Sequence, residues 1–500
     1  MHVPLLLEMA VAAMPDRVGV VAGDVRLTYA ELEQRSSAAA AAFAADPAER
    51  IVLVDLNSEA VPIALFGAAL AGKPFVPVNY RLTDAQLRAI VARTAPSLVI
   101  AGEGVAARIE GVEGITVIGR DEFLRRTADA AARPDVDVDP DDIAVLLYTS
   151  GTTGEPKAAV LRHTNLASYV LSTVELAGAD DDEAAVVAVP PYHIAGVSAV
   201  LSSTYRGRRM VYLDSFDPAG WVATVDREQV THAMVVPTML GRILDAAEAS
   251  GSTLPSLQSL SYGGGPMPLP VVERAMRMLP HVGFVNAYGL TETSSTIAVL
   301  GPDDHRLAIA SDDPAVRRRL GSVGRPLPTL ELSIRDTEGN PLPEGERGEI
   351  WVRGPQVSGE YVGRGGLDDG WFNTRDAGEL DSDGYLFVHG RLDDVIVRGG
   401  ENLSPGEIES VLVDHPGVEA AAVVGIPDVE WGERVVAAVV PRAGASVTED
   451  ELRDFVRERL RSTRTPERIE FRHELPANET GKLLRRVLRD ELARTFSPAG

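Results

Sequence analysis

Residues 143–157 read Ile143-Ala-Val-Leu-Leu-Tyr-Thr-Ser-Gly-Thr-Thr-Gly-Glu-Pro-Lys157. The apolar run Ile143–Leu147 reads as a buried strand, bounded by turn residues on its carboxyl side. Eight residues rich in hydroxyls and glycine then lead to a lysine. Gly151 and Gly154 let the backbone turn tightly and bring its N–H groups close to a phosphate. Thr149, Ser150, Thr152 and Thr153 add hydroxyl donors, and Lys157 adds a compact positive charge. Such a loop suits the β- and γ-phosphates of a nucleotide. It is not the common P-loop, because the glycine spacing before the lysine differs and no Ser or Thr follows Lys157.

Outward from this loop, strand and helix patterns alternate. Ile51-Val-Leu-Val-Asp55, Pro74-Phe-Val-Pro-Val78 and Ser97-Leu-Val-Ile-Ala101 predict short buried strands, while Tyr29 onward and Val61–Leu70 predict helices. Downstream, four strand patterns end in chemistry-bearing residues: Ala185–Val189 running into Tyr192-His193, Thr231–Pro237 before Thr238-Met239, Ser259–Tyr262 before Gly263-Gly264-Gly265, and Val282–Tyr288, which ends in Asn286-Ala287-Tyr288 before Gly289. Alternation of this kind predicts an α/β fold with parallel strands, whose ligands sit beyond the carboxyl ends of those strands. From about residue 325 the pattern becomes short alternating strands with glycine-rich turns, predicting a small β-barrel-like unit or closing sheet. The last hundred or so residues predict a compact α+β unit. Within it Ser404-Pro-Gly-Glu407 has the form of a capping box, with Ser404 as cap and Glu407 closing it.

The chain has 500 residues, more than one hydrophobic core usually sustains. Its formal charge is 48 − 73 = −25, which excludes nucleic acid and anionic membrane surfaces as expected partners. Cysteine is absent, so disulfides and thiol catalysis are excluded. The start, Met1-His-Val-Pro-Leu-Leu-Leu-Glu8, lacks the basic flank of a secretory signal, and no stretch is long enough to span a bilayer. A cytoplasmic protein with no integral membrane segment, monomeric or homodimeric, is the expectation. Of 48 basic residues only Lys73, Lys157 and Lys482 are lysine, leaving 45 arginines. At that bias two chosen positions would both hold lysine about once in 250, so lysine marks places that need a compact ammonium. Lys73, between Ala-Gly and a proline-rich strand edge, reads instead as a solvated surface charge.

Taken with Tyr288-Gly-Leu-Thr-Glu292, Asp376, Gly390-Arg-Leu-Asp-Asp394, Gly399-Gly-Glu-Asn402 and Gly481-Lys482, the phosphate loop resembles the signature set of the adenylate-forming superfamily. That family comprises acyl- and aryl-CoA ligases, peptide-synthetase adenylation domains and luciferases. The motifs fall in the family's order over nearly the whole chain. The resemblance implies a large N-terminal domain, residues 1–390, and a smaller mobile lid, residues 391–500, hinged near Asp393. It implies ATP and Mg2+ as cofactors and coenzyme A as co-substrate, with a small-molecule carboxylic acid as partner. Thr149, Ser150, Gly151, Thr152, Thr153, Gly154 and Lys157 would hold phosphates, and Gly263, Gly264, Asn286, Ala287, Tyr288 and Gly289 the adenosine. Asp376 would accept the ribose hydroxyls, and Arg391 would reach the ribose and phosphates. Tyr288 would stack on adenine and Asn286 pair with its amino group. Glu292 is the implied metal residue. Lys482, His193, Thr291 and Glu292 are the implied catalytic set, while Tyr192, His193, Pro237, Met239, Gly264 and Gly265 line the acid pocket.

The sequence departs from the family at Ala158, at Arg375, where Thr-Gly-Asp is usual, and at Thr463-Arg-Thr-Pro466, which bears on the acceptor. Three arginine groups, Arg206/Arg208/Arg209, Arg317–Arg319 and Arg461/Arg464, are candidates for the phosphates of coenzyme A. No tryptophan stands at the strand ends to plug the pocket, and no lysine or arginine is there to pair with a second carboxylate, which implies a bulky monoacid, aryl or medium to long acyl. The expected reaction is carboxylate activation to an acyl-adenylate with release of pyrophosphate, then transfer to coenzyme A. An amine or a carrier-protein thiol is the alternative acceptor, and a catalytically dead nucleotide-binding regulator is the reading from another class.

Overall fold

The computed structural model describes residues 1–149, 156–398, 401–428, 431–460, 462–477 and 483–496. Ser150, Gly151, Thr152, Thr153 and Gly154 of the phosphate loop, Gly399-Gly400, Arg461 and Gly481-Lys482 lie outside the described residues.

The Ile143–Thr149 strand pairs antiparallel with Lys157–Arg162, setting Thr149 opposite Lys157. Register with Thr149 therefore fixes where Lys157 stands. This hairpin continues a seven-stranded sheet through Phe75–Pro77, Arg50–Val54, Ser97–Ala101 and Ile115–Gly119, with Glu360–Tyr361 on its other edge. Those inner strands are parallel. Behind them the helix Ala60–Leu70 is buried along its entire length. It packs on Tyr29–Ala45 so closely that a Cβ on Gly67 would fall 2.6 Å from the Ala39 methyl. The alanine-rich stretch thus serves close helix packing, and Thr28 with Glu31 supplies its capping box.

A nine-stranded sheet carries the second half of the large domain. The strands Ala184–Val187, His232–Val235, Ser259–Gly263 and Gly283–Leu290 are successive parallel neighbours in it. Their carboxyl ends consequently lie side by side, as the α/β reading requires. The later strands Glu331–Arg335, Gly348–Arg353, Phe372–Leu380 and Leu386–Arg391 form a four-stranded antiparallel sheet with an open order, not a closed barrel.

The C-terminal α+β unit is built on the antiparallel pair Val418–Asp428 and Gly432–Pro441, with Arg468–Phe471 parallel to the latter. Alternation with period two decides its layers. Val435, Ala437 and Val439 face a core with Ile408, Leu412, Leu452 and Val456, whereas Val436 and Ala438 meet Leu488 and Leu492. One detail corrects the sequence reading. The helix Pro405–Val413 does begin after Ser404, but Ser404 makes no side-chain cap; its hydroxyl donates to the His389 carbonyl at 2.7 Å, and Glu407 accepts from Arg464 at 3.2 Å. A partner across the fold outcompetes the local one.

Candidate active site

Two groups of side chains converge on the ends of the nine-stranded sheet. The first contains Asp376, which is only 6% exposed. It stands directly across the hairpin from Arg391, and the fifteen-residue offset in sequence is that cross-strand register. The Arg391 guanidinium meets Asp376 Oδ1 at 2.9 Å and also donates to the Thr374 carbonyl at 2.8 Å. Tyr288, from the pocket strand of the other sheet, donates its hydroxyl to Asp376 Oδ2 at 2.5 Å. Burial, then the neighbouring Asp376 charge, push the Tyr288 phenol well up, so it remains a proton donor. Asn286, two residues earlier, turns its amide nitrogen to the Ser322 carbonyl at 3.0 Å. That bond uses an amide N–H and not the side-chain oxygen, the atom to which an adenine amino group would donate.

The second group surrounds Glu292, 8% exposed, in the short turn Thr291–Thr293. The turn closes through Ser294 and Ser295, both at positive φ. Gly289 is required beneath it, because a Cβ there would lie 1.8 Å from the Ser295 carbonyl oxygen. The Glu292 carboxylate accepts a hydrogen bond from the Tyr361 hydroxyl. The Lys157 ammonium in turn lies 5.9 Å from the centre of the Tyr361 ring. Sequence reasoning missed Tyr361, 69 residues from its partner. No local pattern marks it.

The residues expected to line the acid pocket lie at the adjoining strand ends. Gly264 has φ +81, a conformation that suits glycine, and both Gly264 and Gly265 are exposed. A Cβ on Gly264 would come only within 3.7 Å of Val236, and one on Gly265 within 3.9 Å of Pro237. Met239 is buried in the helix that Pro237 begins. His193 precedes the helix Ile194–Arg206 without a side-chain cap, its ring 4.7 Å from the buried Tyr192. Tyr80 meets Tyr192 edge-on at 5.9 Å. Tyr80 too escaped the sequence reading, although it follows the end of a buried parallel strand.

Other expectations are corrected. Lys73 is not a solvated charge: its ammonium donates to the carbonyls of Phe43 at 2.6 Å and Asp46 at 2.7 Å, closing the C-terminus of the Tyr29–Ala45 helix. Burial pulls its pKa down. Two of the three arginine groups are engaged in ion pairs. Arg206 and Arg208 hold Glu183, and Arg209 holds Glu228. Arg317, Arg318 and Arg319 pair with Glu273, Glu379 and Asp381 respectively. Arg375 has φ +62, which explains the family's preference for glycine there, and its side chain is exposed. Among the described residues there is no cluster of three or more acidic or histidine ligands for a metal, and no helix long and apolar enough to cross a membrane.

The family model for AMP-binding enzymes matches residues 7–362, and that for the AMP-binding enzyme C-terminal domain matches residues 407–482. The chain belongs to this adenylate-forming family, as an enzyme of the AMP-forming acid–thiol ligase type. It is 36% identical to a feruloyl-CoA synthase of Amycolatopsis, with 96% of each chain covered. Among solved structures it superposes on o-succinylbenzoate CoA synthetase (MenE) of Bacillus subtilis in complex with its acyl-adenylate intermediate, with TM-score 0.83, 30% identity and coverage of 97% of this chain and 98% of that one. The same Bacillus enzyme is known with ATP and magnesium ion. The amide bond synthetase McbA of Marinactinospora thermotolerans is also similar, with TM-score 0.85, 29% identity and coverage of 98% and 99%.

Proposed function

We propose that this chain activates a bulky monocarboxylic acid, aryl or medium to long acyl, as its acyl-adenylate and then passes the acyl group to coenzyme A. The observation that carries the nucleotide half is the meeting of Tyr288, Asp376 and Arg391 from two different sheets. A buried carboxylate held by two donors is preorganised to accept ribose hydroxyls. Lys157 then sits at the exit of the phosphate hairpin for the departing pyrophosphate.

The difficulty of the first step is electrostatic. A carboxylate approaching the α-phosphate to about 4 Å is repelled by roughly 4 kcal/mol at an effective dielectric near 20. Positive charge must strengthen as the new C–O–P linkage forms. We assign that role to Lys482 at the reacting oxygens and to Lys157 at the leaving group, with Thr291 beside them and His193 at the carboxylate. Glu292 suits magnesium, because a single protein carboxylate together with nucleotide phosphates is how that ion is usually held. When bound there it would neutralise phosphate oxygens.

The open floor of Gly264 and Gly265 supports a bulky acid, and the likeness to a feruloyl-CoA synthase favours an aryl one. We also assign residues 1–390 to the ATP and acid domain and residues 391–500 to the lid, pivoting at Asp393, which lies in the turn Leu392–Asp394 between strands. A cytoplasmic location, where ATP and coenzyme A are available, and a monomeric or dimeric state complete the proposal. A second acceptor has specific support. The unusual Thr463-Arg-Thr-Pro466 segment packs on the strand before Gly399, with Arg398 donating to the Thr463 carbonyl at 2.9 Å. A changed segment there suits an amine acceptor, as in an amide bond synthetase. ATP–pyrophosphate exchange across a panel of aryl and fatty acids tests the first half. Mass spectrometry of products with coenzyme A and with amines, in separate reactions, tests the second; an amide without any thioester would remove the coenzyme A assignment.

A further inference from the structure

Tyr361 joins three parts of the site that the sequence keeps far apart. Its backbone is strand-paired with Ala159, two residues beyond Lys157. The Tyr361 N–H donates to the Arg364 carbonyl at 3.0 Å, and the following Val362 N–H to the Ala158 carbonyl, also at 3.0 Å. The preceding Ser358 and Gly359 N–H groups donate to the Glu292 carbonyl at 2.9 and 3.0 Å. Next to it, Glu360 is gripped by two of the three Arg162 nitrogens at 3.0 and 2.9 Å. The segment is therefore clamped to the phosphate hairpin on one side and to the Glu292 turn on the other. The ring thus projects from a backbone held on both sides. Its hydroxyl donates to the Glu292 carboxylate and its face carries the Lys157 ammonium.

We propose that Tyr361 is a positioning residue for nucleotide-bound divalent cation: it fixes the Glu292 carboxylate by hydrogen bonding one oxygen and so aims the group, while its ring seats Lys157 beside it. The inference rests on the reading of Glu292 as the cation residue. A buried carboxylate with no orienting donor would rotate among several positions, and the cation would lose a preformed ligand. The face-on lysine adds a cation–π attraction that tethers the phosphate hairpin to the same point.

The test is Mn2+ binding, followed by electron paramagnetic resonance, at saturating α,β-methylene-ATP. The proteins are wild type, Tyr361→Phe, Glu292→Gln and the double variant. Phenylalanine keeps the ring under Lys157 and all the backbone clamps, so only the hydroxyl is removed. Hydrogen bonds to charged groups predict that Tyr361→Phe weakens Mn2+ about tenfold. Glu292→Gln should weaken it at least as much. Because Tyr361 acts through Glu292, the double variant should be no weaker than Glu292→Gln alone. Multiplicative losses in the double variant would overturn the proposal. So would Mn2+ affinity within about twofold of wild type in Tyr361→Phe while Glu292→Gln falls, an outcome that leaves the Glu292 reading standing. A silent Glu292→Gln would overturn both.

Discussion

Replacing Asp376 by Asn should abolish discrimination between ATP and a nucleotide without ribose hydroxyls. In the structure Asp376 is held by Arg391 at 2.9 Å and Tyr288 at 2.5 Å, so its position does not depend on the ligand. An ionised carboxylate is acceptor-only with about four lone-pair sites, and it can keep these partners while accepting from a ribose. Asparagine removes the charge and turns one acceptor into an NH2 group facing either Arg391 or Tyr288. Hydrogen bonds to charged groups are worth about 1.5–3 kcal/mol, so ATP affinity should fall on the order of 10- to 100-fold. Folding should weaken as well, by about 1–3 kcal/mol, because the Asp376 side chain is only 8% exposed and Tyr288 and Arg391 lose a charged acceptor; comparing two nucleotides on the folded variant separates this from binding. Calorimetric titration with ATP and with 2′,3′-dideoxy-ATP gives the decisive comparison. Wild type should prefer ATP strongly, and Asp376→Asn should bind the two nearly alike. An unchanged ATP preference in the variant, or equal losses for both nucleotides, would refute the ribose role.

Three further outcomes are expected. Lys73→Ala should lower stability by about 1–2 kcal/mol in urea, through the loss of hydrogen bonds to Phe43 and Asp46, and leave ATP–pyrophosphate exchange intact; lost exchange with unchanged stability would reassign this lysine. At Arg375, where φ is +62, Arg375→Gly should be more stable than Arg375→Ala by about 1 kcal/mol, since both lack the guanidinium and only glycine is at ease there; equal midpoints would mean the backbone relaxes. Stability should also fall in acid in two stages. Burial holds neutral His163 down at about 4 from 6.5, so its contribution is present above 6.5 and lost as pH falls toward 4. Burial opposes ionisation of Glu379, but hydrogen bonds from Arg318 and Arg347 prevail and hold it at about 2 from 4.5, so its contribution goes between 4.5 and 2. Each is worth on the order of 1–3 kcal/mol. Urea midpoints against pH should show the lower stage flattened in Glu379→Gln; an unaltered profile would remove Glu379 as its source.

What the sequence by itself determined follows from local rules. Short apolar runs marked the strands Arg50–Val54 and Ser97–Ala101, and glycine or proline marked where the strands His232–Val235 and Ser259–Gly263 stop, because strand burial and turn chemistry leave a period and a punctuation in a few adjacent residues. The order of the motifs told the family, since their spacing is carried along the chain. The tertiary structure alone decided how distant groups pair. It set Asp376 against Arg391 across a hairpin, brought Tyr288 to them from another sheet, and placed Tyr361 between Glu292 and Lys157. It likewise matched the arginine groups to Glu183, Glu228 and Glu379, where charge order along the sequence suggested open cationic patches. Ser404 makes the reason plain. A capping box was available three residues away, yet its hydroxyl bonds the His389 carbonyl, fifteen residues back. A polar side chain takes the buried partner that packing presents, and packing joins residues whose distance in sequence carries no signal.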